Sequence, residues 1–315
     1  MTVRKYIILA VVASAVLLSC SLIGCGGKQS LSNLTAREIF DLAKAKYDAG
    51  KYFRATEIFQ SLIFDYPGET LIDTAQFYLA MSYYANKDYI LGRVEFNRLV
   101  NYYPASVFMP QSVFMKAVCL YEGAPRSSGL DQTQVKESVG EFEDFLIDFP
   151  ESEFVPDCQA YLEHARTRLA KKDFDAAMVY YRMHAYKAAE IYFQKVIDEY
   201  TTTTVAGSSL YYIGDMNLKD HKYDDAVRAL DSFIRLHPDH ELIPKAKEKL
   251  PEAAFRAAKV YVDIENYPSA RSALEKFLTD YPDSEQAEDA RKILSEIPAV
   301  SADSTASTDQ DKKDS

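Results

Sequence analysis

Apolar residues in steps of three and four, closed by a proline and repeated six times, restrict this chain to one kind of architecture. Tyr52, Ala55, Phe59, Leu62 and Tyr66 lead to Pro67. The same places before Pro104 hold Tyr89, Gly92, Phe96, Leu99 and Tyr103, and before Pro150 they hold Val135, Ser138, Phe142, Phe145 and Phe149. In the fourth copy Tyr186, Ala189, Phe193, Val196 and Tyr200 run up to Thr201, so the proline is lost and the rest keeps its type. Tyr223, Ala226, Leu230, Phe233, His237, Pro238 and then Tyr267, Ala270, Leu274, Phe277, Tyr281, Pro282 complete the series. This spacing puts the small residue and the large apolar ones on one helix face, and proline cannot continue the helix. Closing positions 67 and 104, like 201 and 238, are 37 apart, which leaves room for one further helix and two short turns. The pattern predicts an all-α, right-handed superhelical solenoid of about six tetratricopeptide-like helix pairs.

Composition agrees with that class: 48% of the 315 residues are hydrophobic and 26% charged, with 11 glycines, 12 prolines and 23 tyrosines. No run alternates in the manner of a strand. The net charge of −11 becomes −13 once Arg4 and Lys5 leave with an N-terminal leader, and an acidic surface repels phosphates, which argues against nucleic acid as a partner.

That leader spans residues 1–24. Arg4 and Lys5 form its positive end, Tyr6 to Leu18 its apolar core, and Leu22, Ile23, Gly24, Cys25 match the cleavage box of bacterial lipoproteins. A transmembrane anchor needs about 18 or more uninterrupted apolar residues, and Cys20, Ser21 and Gly24 break this one early. Cleavage before Cys25 exposes a cysteine for acylation, and several acyl chains anchor firmly where one is marginal. Leu17, Leu18, Ser19, Cys20 is a poorer second match. Gly26, not aspartate, follows Cys25, which points to the outer membrane, with the protein facing the periplasm. Cys119 and Cys158 sit in apolar helical contexts and read as buried free thiols or a periplasmic disulfide.

In chain order, residues 25–34 form a lipidated tether, and Thr35 with Glu38 a capping box. Repeats one to three occupy 35–150, the third carrying a polar, exposed insertion from Gly123 to Gln132. Repeats four to six and a capping helix occupy 151–297. One long helix is expected from Val155 to Ala185, and a connecting helix near Leu242 to Leu250 precedes repeat six at about 252–282. Ser284 to Ile297 caps the array, and the tail 298–315 is too polar to fold.

The first helix of each pair carries Phe40, Phe77, Phe114, Phe174, Tyr211 and Phe255 at one position and Tyr47, Tyr84, Tyr121, Tyr181, Leu218 and Val262 seven residues later. Positions seven apart share a face, which in tetratricopeptide arrays lines the concave surface. The first four repeats therefore offer Phe40/Tyr47, Phe77/Tyr84, Phe114/Tyr121 and Phe174/Tyr181 as a groove for an extended, aromatic-bearing peptide, or else bury some of these rings between repeats.

Catalytic patterns are missing. No phosphate-cradling glycine loop is present, and His164, His184, His221, His237 and His240 include no zinc-helix spacing. His237 and His240 flank Pro238 and Asp239 at a helix end and read as a solvated turn. No pair of carboxylates stands out. The reading is a non-enzyme without cofactor or metal.

The lipoprotein box and repeats together resemble the BamD family of outer-membrane-assembly lipoproteins, also described as ComL-like. The resemblance is carried by Asp131, Phe142, Phe145, Leu146, Phe149, Pro150, Ser152, Phe154 and Asp157, then Arg168, Leu169, Ala170 and Tyr180–Tyr181, with Tyr83, Tyr84, Asn86 and Asp88 in repeat two. It covers residues 34–238. It implies a periplasm-facing scaffold that binds the periplasmic domains of the barrel protein BamA and presents unfolded outer membrane protein precursors, the N-terminal repeats receiving their aromatic-rich targeting segments. Two departures stand against it: Tyr192 replaces a basic residue that some members carry, and a sixth repeat and acidic tail extend the chain. The competing reading is another periplasmic tetratricopeptide lipoprotein, serving cell-wall synthesis or the Tol-Pal system, which would lack the interrupted third repeat.

Overall fold

A computed structural model describes residues 31–298. The expected signal peptide, the lipidation position Cys25, the tether up to Ser30 and the tail from 299 lie outside these residues. Among the described residues there are thirteen helices and no strand. They run in pairs: α1 (Ala36–Asp48) with α2 (Tyr52–Asp65), α3 (Ile72–Ala85) with α4 (Tyr89–Tyr102), α5 (Met109–Gly123) with α6 (Thr133–Asp148), α7 (Val155–Arg182) with α8 (Tyr186–Glu199), α9 (Thr204–Lys219) with α10 (Tyr223–Leu236), and α11 (Ile243–Asp263) with α12 (Tyr267–Asp280), followed by α13 (Ala287–Glu296). The chain divides into two compact units, one up to Ser112 and one from Val113.

Two small devices account for the regularity. Every second helix ends on the residue before the closing position, with φ between −129° and −134° and ψ between 45° and 58° at Tyr66, Tyr103, Phe149, Tyr200, His237 and Tyr281. Proline disfavours the helical region in its predecessor, yet Tyr200 adopts the same geometry before Thr201. What the links share is a pair of backbone hydrogen bonds, Glu69 N–H to the Tyr66 carbonyl and Ile72 N–H to the Glu69 carbonyl in the first, Thr203 to Tyr200 and Ala206 to Thr203 in the fourth. Inside five pairs the first helix closes with a residue in the left-handed region: Gly50 (φ 70°), Lys87 (63°), His184 (57°), His221 (62°) and Glu265 (59°). Its amide and the next satisfy two terminal carbonyls, as Gly50 to Tyr47 and Lys51 to Lys46 illustrate.

The helices of a pair cross at small residues on both sides. Ala55, Ala189, Ala226 and Ala270 are wholly buried on the second helices, as are Ala43, Ala80, Ala117, Ala177 and Ala258 on the first. Gly214 takes the corresponding place in α9, where an added Cβ would lie 2.7 Å from Leu230 Cγ. The large rings of the repeat, Phe59, Phe96, Phe142, Phe193, Phe233 and Phe277, are the largest buried side chains.

The expected capping box forms: Thr35 Oγ1 accepts from Glu38 N–H, and a Glu38 carboxylate oxygen accepts from Thr35 N–H at 2.8 Å. The long helix ends at Arg182, with Met183 as its cap. A second long helix departs from expectation. Instead of a connecting helix followed by a new one, α11 runs unbroken through Pro251. An interior proline forfeits one helical hydrogen bond at a cost of about 3 kcal/mol. Leu250 and Ala253 on either side are buried, and Lys247, whose carbonyl loses its donor, is exposed, so core burial offsets a loss that solvent softens.

The insertion of repeat three is exposed as expected along most of its length, with Leu130 57% accessible. Within it only Ala124 and Gln132 are buried, and the Gln132 side-chain amide donates to the carbonyls of Pro125, Ser127 and Leu130 at 3.1, 2.9 and 3.3 Å. Ser128 donates to Asp175 at 2.7 Å, and Arg168 to the Ala124 carbonyl at 3.3 Å, which ties the loop to α7.

Candidate functional site

The ring pairs of the first helices separate by depth. Phe40, Phe77 and Phe114 are buried, Phe174 is half-buried, and Tyr47, Tyr84, Tyr121 and Tyr181 are all half-buried. The phenylalanines pack on the second helices, Phe40 on Phe59 at 5.8 Å, Phe77 on Phe96 at 6.1 Å, Phe114 on Phe142 at 6.2 Å and Phe174 on Phe193 at 5.6 Å. They form the floor, Phe174 lying shallower than the other three, and the half-buried tyrosines reach the surface.

A third ring completes three of the four clusters, the equivalent place in repeat two being Met115. In the N-terminal unit Tyr78 stacks on Phe59 at 6.1 Å and meets Tyr47 at 5.4 Å. In the C-terminal unit Tyr161 stacks on Phe142 at 5.8 Å and meets Tyr121 at 5.7 Å, and Tyr212 stacks on Phe193 at 5.8 Å and meets Tyr181 at 5.3 Å. Tyr78, Tyr161 and Tyr212 each stand eleven residues after the closing position of the preceding repeat.

Tyr47, Tyr121 and Tyr181 also lie beneath a cation. Lys44 Nζ is 5.8 Å from the Tyr47 ring centre and 5.0 Å from that of Tyr78. The Arg168 guanidinium lies 5.5 Å over Tyr121, and Lys219 Nζ 4.7 Å over Tyr181. A ring face flanked by a cation suits a ligand with both aromatic groups and carboxylates. Nothing in the ring spacing singles out these cations, because Arg168 and Lys219 come from other turns or other helices.

At repeat five the cluster changes character. Lys249 occupies the place of Tyr78, Tyr161 and Tyr212, and its Nζ lies 2.9 Å from Asp215. Asp215 is 3% exposed and also receives Lys219 at 2.8 Å and the Tyr181 hydroxyl. Burial alone would raise its carboxyl pKa, but the bonds from Lys219, Tyr181 and Lys249 outweigh it and hold the group below the ordinary aspartate value. Burial, then the bond to Asp215, pushes the Tyr181 hydroxyl to about 12. Burial would lower Lys219, but its bonds to Asp215 and Tyr181 leave it raised and charged. One carboxylate thus joins α7, α9 and α11.

The remaining candidates are structural. Cys119 and Cys158 are both buried and not joined in a disulfide. The Cys158 thiol lies 3.4 Å from the Phe142 carbonyl, and burial pushes its pKa to about 11. His240 Nε2 lies 3.1 Å from Ser208 Oγ, while His237 packs on Phe233 and burial, then His240, lowers its pKa. Tyr192 stacks on Tyr180 at 5.5 Å. Among the described residues no group of three or more histidine, cysteine or acidic side chains is placed to hold a metal ion, and no helix is long and apolar enough to cross a membrane.

Comparison with known proteins places this array. The profile of the YfiO outer membrane lipoprotein family matches residues 32–218, more than half of the chain. The chain belongs to the YfiO family. As a YfiO lipoprotein it is located at the outer membrane. It is similar to outer membrane protein assembly factor BamD of Rickettsia prowazekii (strain Madrid E), 24% identical over 65% of this chain and 82% of that one. It is also similar to the BamD of Caulobacter vibrioides, 21% identical over 70% of this chain and 73% of the relative. A tetratricopeptide profile matches 208–240 and 252–284, so repeat six lies beyond the YfiO match and is nonetheless of the same type. Among solved structures, the TPR2AB domain of yeast Sti1 aligns over 82% of this chain and 97% of its own, at 11% identity and a TM-score of 0.39.

Proposed function

We propose that this YfiO-family lipoprotein is a non-catalytic scaffold of outer membrane β-barrel assembly, anchored through Cys25 and binding the targeting segments of unfolded outer membrane proteins as well as the periplasmic domains of BamA. The observation that carries this reading is the recurrence of a half-buried tyrosine under a cation at Tyr47, Tyr121 and Tyr181. Precursor segments rich in aromatic residues supply flat apolar rings for such faces, and peptide carboxylates supply a complement to Arg168, Lys44 being paired with Asp48 and Lys219 with Asp215. Two curated relatives carry the name of an assembly factor, which supports the same direction. Tyr84, which stands against Tyr89 at 5.7 Å, extends the tyrosine face of the N-terminal unit. BamA is assigned on the family resemblance, and Tyr192 offers it no salt bridge. Pull-down of the tagged protein from detergent-solubilised envelopes tests the reading: BamA and precursors are expected in the eluate. Recovery of cell-wall synthases or Tol-Pal components without BamA contradicts it.

A further inference from the structure

The N-terminal unit exposes large apolar side chains at the edge where its second helices end. Phe64 is 83% accessible at the end of α2, Tyr102 75% at the end of α4, and Val107 84% in the link that follows. All three lie where second helices finish and the next first helices begin. The link containing Tyr102 and Val107, residues 102–108, has no charged residue, whereas the first link carries Asp65 and Glu69 and the later ones or their flanks bear acids, such as Asp148 with Glu151 and Asp239 with Glu241.

This edge is also where the chain arrives from its N-terminus. The Tyr66 hydroxyl, two residues from Phe64, donates to the Leu34 carbonyl at 3.0 Å, and Leu31 and Leu34 pack on the core of the same unit. The Ser106 hydroxyl donates to Asp73 at 2.7 Å, which holds the uncharged link beside the first one. Six peptide steps from Cys25 to Leu31 reach at most about 20 Å when fully extended. An acylated Cys25 therefore keeps Leu31, on the unit that carries this edge, within that distance of the lipid surface.

We infer that the edge formed by Phe64, Tyr102 and Val107 rests in the headgroup region of the outer membrane, so that the first two helix pairs hold a fixed face toward the bilayer instead of hanging from a loose tether. Aromatic side chains with a polar end favour that depth, and the lack of acids in the second link removes repulsion from anionic lipid. The inference rests on the acylation of Cys25 proposed above.

The test uses full-length acylated protein with a nitrobenzoxadiazole label on Phe64→Cys or Tyr102→Cys. Ile147→Cys and Leu236→Cys are controls at the matching positions of the C-terminal unit, where the side chains are 75% and 63% accessible. Cys119 and Cys158 are buried and escape the label. The host is a vesicle of phosphatidylethanolamine and phosphatidylglycerol with spin-labelled lipid. Labels at 64 and 102 are expected to shift to the blue and lose most of their emission, while those at 147 and 236 keep theirs. Protein that floats with the vesicles but shows no quenching at 64 and 102, or equal quenching at all four sites, overturns the inference and leaves the anchor standing. Protein that does not float refutes the Cys25 anchor, and this inference with it.

Discussion

Two neighbouring clusters in the C-terminal unit occupy equivalent places and are built from opposite materials. Around Tyr212 the repeat uses rings from Phe174, Tyr181 and Phe193; one repeat later, Lys249 takes that place and pairs with the buried Asp215, while Tyr211 packs on Phe233. The ring cluster gains from contact area and stacking and tolerates small shifts. The charged cluster is stabilised only if each donor reaches its acceptor, since a buried carboxylate without partners is costly. The difference shows that the repeat fixes where three helices converge and leaves open what joins them there. Tyr181 belongs to both clusters, as a ring to Tyr212 and as a donor to Asp215, so the two are mechanically coupled.

The comparison sharpens under mutation. Phe193→Ala should be the most damaging change, about 3–5 kcal/mol, because it removes a wholly buried ring at the centre of its cluster. Denaturant titration measures it, and a loss near 1 kcal/mol would mean that Tyr212 refills the space. Asp215→Asn should cost less, about 1.5–3 kcal/mol, since Lys219 and Lys249 are partly solvated and recover hydration. Its signature is pH. The folded carboxyl titrates below its unfolded value, near 3.9, so its stabilisation is present above about pH 4 and is lost as pH falls through the folded pKa. The gap between the wild type and Asp215→Asn should therefore close on acidification, whereas the gap for Phe193→Ala should not. Melting curves across that range separate the two.

Gly214→Ala should cost about 1–3 kcal/mol by driving a methyl into Leu230, and Ala55→Leu should do the same at the crossing point of the first pair. An Ala55→Leu protein that melts like the parent would contradict the assignment of that crossing. The smallest effect has the opposite sign. Lys87 and Glu265 hold left-handed backbone, so Lys87→Gly and Glu265→Gly should each stabilise by about 1 kcal/mol. Comparable gains in both units would show that the turn within a pair is independent of the cluster it serves.

Helix positions, the long α7 and the crossing residues were legible in the sequence, because a repeated spacing averages out local irregularity. The depth of the rings was not. Seven-residue spacing puts Phe40 and Tyr47 on one face, but the wholly buried Ala43, three residues after Phe40, marks the point of closest approach, and that is what sinks the phenylalanine. Tyr161 was missed for a different reason. Helix α7 carries the first-helix pattern twice, once near Tyr161 and again at Phe174, and counting back from the closing residue finds only the second. Counting forward from Pro150 finds Tyr161, and the same count from Pro238 finds Lys249. The unbroken α11 escaped because proline is a local signal, overruled there by buried Leu250 and Ala253. The cations over the tyrosines follow from packing between turns and helices, which the ring spacing does not encode.

The central claim is that the tyrosine faces bind aromatic-bearing precursor segments, and it is tested most directly by the affinity of the full-length protein for a labelled peptide from the C-terminus of an outer membrane protein. Fluorescence anisotropy should show weaker binding by about tenfold or more, roughly 1.4 kcal/mol, when Tyr47 and Tyr84, or Tyr121 and Tyr181, are replaced by alanine in proteins whose melting confirms that they fold. An unchanged Kd in both folded double variants would contradict the account.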